Sequence, residues 1–231
     1  MSTVSGKPVT VIDYGIGNLL NVVRALRHCG TDVTVVDNAG QVSGMPDRLV
    51  LPGVGAFADG MAELKSRGFD DLVKRYAQTE RPFLGICVGA QLLFDVGEEF
   101  GEHAGLGLIP GRVMPVSSVG AGGKPHRIPH IGWSALGVPA ARSTWQNTVL
   151  DRVTPGEPMY FVHSFAPVPE NEEHRLADTY YDGVRICAAV ARGSIYGRHW
   201  ARSCPTSRWA RKTRTEGSRI TSWRSFARAG R

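Results

Sequence analysis

No stretch of this 231-residue chain approaches the roughly 20 consecutive apolar residues that cross a bilayer, and Met1 to Pro8 hold no apolar run of the signal-peptide kind. The expectation is a soluble, cytoplasmic protein that makes no membrane contact. Cysteine is scarce and scattered: Cys29, Cys87, Cys187 and Cys204 form no C-x-x-C pair. That spacing excludes a disulfide framework and a zinc knuckle, so no metal is expected and free thiols remain. Neither G-x-G-x-x-G nor G-x-x-x-x-G-K-[ST] occurs, which leaves no strong signal for a phosphate cradle, and no cofactor is expected.

Acidic residues almost vanish at one end. Residues 198–231 hold ten Lys/Arg against Glu216 alone, a local charge of +9 that leaves the first 197 residues at −3 within the chain's +6. This segment contains Trp200, Trp209 and Trp223 but no Leu or Val, so it cannot supply the apolar face of a helix or strand. With no internal repeat and no linker before residue 197, the chain divides into a domain over 1–197 and a basic tail over 198–231. Arg and Trp together invite a nucleic-acid or membrane-surface arm. Translation in a shifted, GC-rich reading frame yields the same composition with no partner, and no nucleic-acid binding is expected.

The body alternates strand and helix patterns. Val9–Asp13, Val33–Val36, Arg48–Leu51 and Pro82–Cys87 are short apolar runs. Between them Leu19 to Leu26 and Met61 to Tyr76 recur at helical spacing, and Ala90–Phe94 reads as the start of another helix. Such alternation predicts right-handed βαβ units on a parallel sheet, with ligands outside the carboxyl ends of the strands. The turns at 13–18, 52–57 and 85–89 all fall there. After residue 110 shorter strands are expected at 112–116, 127–133, 159–163, 174–180, 185–190 and 194–197, with an Asp182-Gly183 hairpin turn.

Gly85-Ile86-Cys87-Val88-Gly89 is the sharpest local feature. Minimal residues two before and two after a Cys, between a strand and a helix, place a nucleophile on a tight turn. A helix start beside the thiol is expected to favour the thiolate. A structural cysteine beside a close helix packing is the alternative. Pro52-Gly53-Val54-Gly55 could turn backbone N–H groups toward a bound carbonyl and, with Val88, form an oxyanion hole. Of the histidines, His130 and His163 stand at strand ends and His199 beside the last recognisable strand. None is followed by an acid two residues on.

Five motifs occur in order across residues 9–197: Asp13-Tyr14-Gly15-x-Gly17-Asn18, Pro52 to Phe57, Gly85-Ile86-Cys87-x-Gly89-x-Gln91-Leu92-Leu93-Phe94, Pro129-His130-Ile131-Gly132-Trp133 and Tyr160 to Phe165. Together they resemble the glutaminase subunits of imidazole glycerol phosphate synthase, which are class I glutamine amidotransferases of histidine biosynthesis. The Gly-Gly-Glu-Ser segment of the related pyridoxal-phosphate glutaminases is absent. The resemblance implies a flavodoxin-like α/β fold with a mostly parallel central sheet and a Cys-His-Glu triad. It implies that Cys87 attacks glutamine, that Gly53, Val54 and Val88 frame the oxyanion, and that Gln91 with the backbone at His163, Ser164 and Phe165 holds the amino-acid end. Ammonia would pass to a (β/α)8-barrel cyclase subunit in a heterodimer, with Asp13–Asn18 and Pro129–Trp133 toward the interface.

One departure stands out. Where the family continues x-Gln-Phe-His-Pro-Glu-Lys-Ser, this chain has Arg198-His199-Trp200-Ala201-Arg202-Ser203-Cys204-Pro205. The triad His and Glu have no match, and His199 is left as a weak candidate base. The alternatives to an active glutaminase are a catalytically silent docking subunit of the cyclase and another class I amidotransferase.

Overall fold

The computed structural model describes residues 6–201. Its first half follows the expected alternation: β1 (Gly6–Ile12), α1 (Leu19–His28), β2 (Thr31–Val36), β3 (Leu49–Gly53), α2 (Phe57–Ser66), α3 (Phe69–Ala77) and β4 (Phe83–Cys87). α1 buries Val22, Val23 and Leu26 on one face, carries Arg27 and His28 in its last turn, and ends before Gly30 in the left-handed region.

The helix expected through Phe94 is the first correction. α4 (Val88–Gln91) is a single turn, and β5 (Phe94–Gly97) follows after a two-residue turn at Leu92 and Leu93. The Leu93 carbonyl accepts from the amides of Leu108 and Ile109 at 2.8 and 3.0 Å, which fixes that stretch as an extended crossing. A short, fully buried apolar run carries no period to separate helix from strand. The remaining strands are β6 (His103–Ala104), β7 (Ile109–Pro115), β8 (His130–Ala135), β9 (Pro158–His163), β10 (Phe165–Pro169), β11 (Arg175–Tyr181), β12 (Val184–Arg192), β13 (Ile195–Arg198) and β14 (Trp200–Ala201). Asp182 and Gly183 both take positive φ between β11 and β12, as the Asp-Gly hairpin requires.

The central sheet has seven strands in the order β11-β12-β13-β4-β3-β1-β2. Pairs β1/β2, β1/β3, β3/β4 and β4/β13 are parallel, and the β11–β12 hairpin extends the sheet antiparallel at one edge. Side chains alternate between two cores. Leu49, Leu51 and Phe83 point toward α2, α3 and the smaller β10-β7-β5-β6 sheet, whereas Val50, Leu84 and Ile86 point toward α1, Trp145 and Phe161. Because both faces are covered, β3 is buried at every position, the pattern of a central parallel strand. At the antiparallel edge Asp178 is buried and accepts from Arg175 Nε at 2.9 Å and Arg185 Nε at 2.7 Å, so its charge is paired on both oxygens.

The second correction concerns the boundary after residue 197. β13 runs through Arg198, β14 pairs antiparallel with β9, and Trp200 is fully buried edge-on to Phe161. Arg198 to Ala201 are therefore part of the fold rather than of a tail. A lone Trp needs no Leu or Val neighbours when a distant strand supplies its apolar wall. Residues 202–231, which carry the rest of the expected tail and Cys204, lie outside the described residues.

Candidate active site

Cys87 ends β4 with φ 55° and ψ −119°. A residue with a side chain enters this region at a cost of about 1–3 kcal/mol, and surrounding structure must hold it there. The flanking glycines make that possible. A Cβ on Gly85 would stand 2.6 Å from the Gly89 carbonyl oxygen and 2.7 Å from Ala90 Cα, and one on Gly89 would collide with the Leu51 carbonyl. The turn is thus clamped between its own next residues and β3, which explains the G-x-C-x-G spacing in steric terms.

Gly53 is Cys87's register partner on β3. A Cβ there would collide with Tyr14 Oη and stand 2.6 Å from Gly89 N. Val54 follows on an exposed turn with Gly55 at φ +89°, and Val88 follows Cys87 with its side chain buried. Of the three expected oxyanion residues, Gly53 thus adjoins Cys87 in strand register, Val88 adjoins it in sequence, and Val54 follows Gly53. Gln91 is buried on α4, and its Nε2 donates to the Phe165 carbonyl at 3.4 Å, which joins the elbow to the start of β10. The Ser164 carbonyl accepts from Val116 N at 2.8 Å and is already used in holding β7.

The expectation of a thiolate-favouring helix start is corrected. Burial pushes the Cys87 thiol above its usual range, and the Val88 N–H and the Arg198 guanidinium oppose this only in part. A four-residue helix has too few aligned peptides to outweigh desolvation. Arg198 was not among the expected site residues. It is the last residue of β13, opposite Ile86, is buried, and donates to the Trp200 carbonyl at 3.2 Å. Cys187 differs sharply: it is wholly buried and its thiol is pushed up to about 12 by desolvation.

The histidines form a buried row. His130 Nε2 meets Ser134 Oγ at 3.1 Å and His130 Nδ1 meets His163 Nε2 at 2.9 Å. Burial, then the neighbouring His130, lower His163 to about 4. His199 is buried with neither ring nitrogen hydrogen-bonded among the described residues, and burial, then His163, lower it to about 3. Among the described residues no histidine nitrogen is hydrogen-bonded to Cys87, and no group of three or more His, Cys, Asp or Glu side chains could hold a metal. Tyr14, two residues past β1 in the 13–18 turn, is the other neighbour of the elbow; the sequence placed its motif at the carboxyl end of a strand and, by resemblance, toward the partner interface, but gave it no role beside Cys87.

Residues 10–198 match the family model described as Glutamine amidotransferase class-I. The chain is 45% identical over 189 residues to imidazole glycerol phosphate synthase subunit HisH 1 of Legionella pneumophila (strain Lens), covering 82% of this chain and 88% of that one. It is 40% identical over 191 residues to subunit HisH of Moorella thermoacetica, covering 83% and 85%. Among solved structures, PurLQS from Thermotoga maritima superposes with a TM-score of 0.67 at 18% identity over 96% of this chain and 97% of that chain, a likeness of fold.

Proposed function

Starting from the fact that this chain belongs to the class I glutamine amidotransferases and, within them, to the HisH family of imidazole glycerol phosphate synthase subunits, we propose that it docks on a barrel-type cyclase as the glutaminase half of a cytoplasmic heterodimer. The observation that carries this reading is the strained Cys87 elbow with Gly53 in register beside it. In the reaction Cys87 sulfur bonds to the side-chain amide carbon of glutamine. The carbonyl oxygen takes negative charge within reach of the Gly53, Val54 and Val88 amides, and the C–N bond then breaks as the leaving nitrogen takes up the proton given up by the thiol, which releases ammonia and leaves a glutamyl thioester. Water cleaves the thioester to glutamate and restores the thiol. Gln91 and the backbone at 163–165 hold the amino-acid end.

The docking surface is supported by an apolar strip. Ile131 pairs with Val162 and Trp133 with Tyr160 across β8/β9, and Ile131, Val162 and Trp133 are exposed, Trp133 by 61%. Solvent-facing aromatics and β-branched residues side by side on a sheet mark an interaction site. Mixing the chain with the cyclase is expected to give a one-to-one complex that makes product from ammonium salt. Trp133→Glu is expected to weaken that complex at least tenfold without lowering the melting temperature. Failure of the folded chain to bind the cyclase overturns the reading.

The second reading, a docking subunit with little glutaminase activity, is favoured by a specific observation: no histidine among the described residues is hydrogen-bonded to Cys87.

A further inference from the structure

We propose that Tyr14 is a positioning residue for the nucleophile, its phenol O–H lying buried and unpartnered beneath the elbow and donating to the Cys87 sulfur when the thiolate forms. The inference rests on the proposed function only in taking Cys87 as the nucleophile.

Three observations meet at this point. Tyr14 is 1% exposed, and its hydroxyl has no hydrogen-bond partner among the described residues. That oxygen packs against Gly53 Cα so closely that any Cβ there would collide with it. Gly53 in turn is the register partner of Cys87, and Gly89 N borders the same space at 2.6 Å from that Cβ position. The hydroxyl therefore lies at the back of the turn that carries the sulfur.

A buried hydroxyl without a partner destabilises a fold. As the turn stands the sulfur is outside hydrogen-bond geometry of this hydroxyl, and ionisation supplies the reason to close the gap by a small side-chain rotation, because a thiol accepts weakly and a thiolate strongly. Charge supports the direction of donation. Burial, then the Cys87 charge, hold the Tyr14 proton well above the usual phenol range, so the phenol stays protonated while the sulfur ionises. The other groups acting on the sulfur are the Val88 N–H and Arg198 on β13. Tyr14 is thus a neutral donor that does not compete for the proton.

The test is the pH dependence of iodoacetamide alkylation, read at each cysteine of the full chain by peptide mass spectrometry, for the natural protein and Tyr14→Phe. Removing only the hydroxyl is expected to raise the Cys87 midpoint by about one pH unit, which lowers its alkylation near neutrality about tenfold, with Cys29 unchanged. An unmoved Cys87 profile together with a raised melting temperature overturns the inference, since that is the behaviour of a hydroxyl that is merely buried. A stability cycle with Cys87→Ala reads the same coupling should Tyr14→Phe fold poorly. The cost of Tyr14→Phe is expected to grow from pH 7 to pH 9.5 only when Cys87 is present, and a cost equally flat in both backgrounds also overturns it. Neither measurement uses glutamine or the cyclase, so a failure of docking or turnover leaves this result intact.

Discussion

Glutamate release from glutamine by the complex of this chain with its cyclase is expected to run about 10²–10⁴-fold below that of a version in which the segment after Gly197 is restored to the family's Gln-Phe-His-Pro-Glu form. That range is what a positioned general base contributes. Cys87, the proposed nucleophile, stands on its strained turn, but its thiol is pushed up by burial and no histidine among the described residues is hydrogen-bonded to it. His199 is expected to substitute poorly: burial lowers it to about 3, far from the operating pH at which a base works best, and neither ring nitrogen is oriented by a partner among the described residues. Cyclase turnover on ammonium salt bypasses Cys87 and is expected to be equal in the two complexes. Near-family glutamine rates that vanish on His199→Ala would instead make His199 the base.

The largest structural effect is expected at Gly89. Its added Cβ would meet only backbone: the Leu51 carbonyl oxygen in collision, Leu51 C at 2.8 Å and Pro52 C at 3.1 Å. No flexible side chain can give way, and β3 and β4 are central strands covered on both faces. Gly89→Ala is therefore expected to cost about 3 kcal/mol or more, the upper end of overpacking and a large share of the stability of an ordinary domain. Urea unfolding checks it, with Gly132→Ala as the control. Nothing lies within 4 Å of a Cβ at Gly132, and that variant is expected to keep its midpoint. Equal midpoints for the two variants would mean that the elbow is not clamped between β3 and α4.

Much of this site was legible because glycine marks it. Gly53, Gly85 and Gly89 stand where backbones approach within a Cβ's width, and a sequence shows such positions directly. The parallel strands were legible for a similar reason: β3 and β4 are short, uniformly apolar and bounded by Pro and Gly. The single turn of α4 was not, because Leu92, Leu93 and Phe94 are buried whichever secondary structure they adopt. Tyr14 and Arg198 were visible in the sequence but not as neighbours of Cys87, because that nearness comes from strands adjacent in space and remote in sequence. Trp200 shows the same limit, since its partner Phe161 lies on β9 and a local count of aliphatics cannot reveal it. The thiol's direction of shift was misjudged from a dipole argument that assumed a full helix behind Cys87.

Everything proposed for this chain's chemistry rests on Cys87, on its strained turn, being the reactive thiol of a glutamine site. A glutamine-analogue diazo-ketone applied to the full chain in the presence of the cyclase tests it most directly, with the site of modification read by peptide mass spectrometry. The label is expected on Cys87, with excess glutamine blocking it, and Cys187 is expected to stay unmodified because it is buried and its thiol is pushed up to about 12. Preferential labelling of Cys29, Cys187 or Cys204 at saturating analogue, with Cys87 untouched, would contradict it.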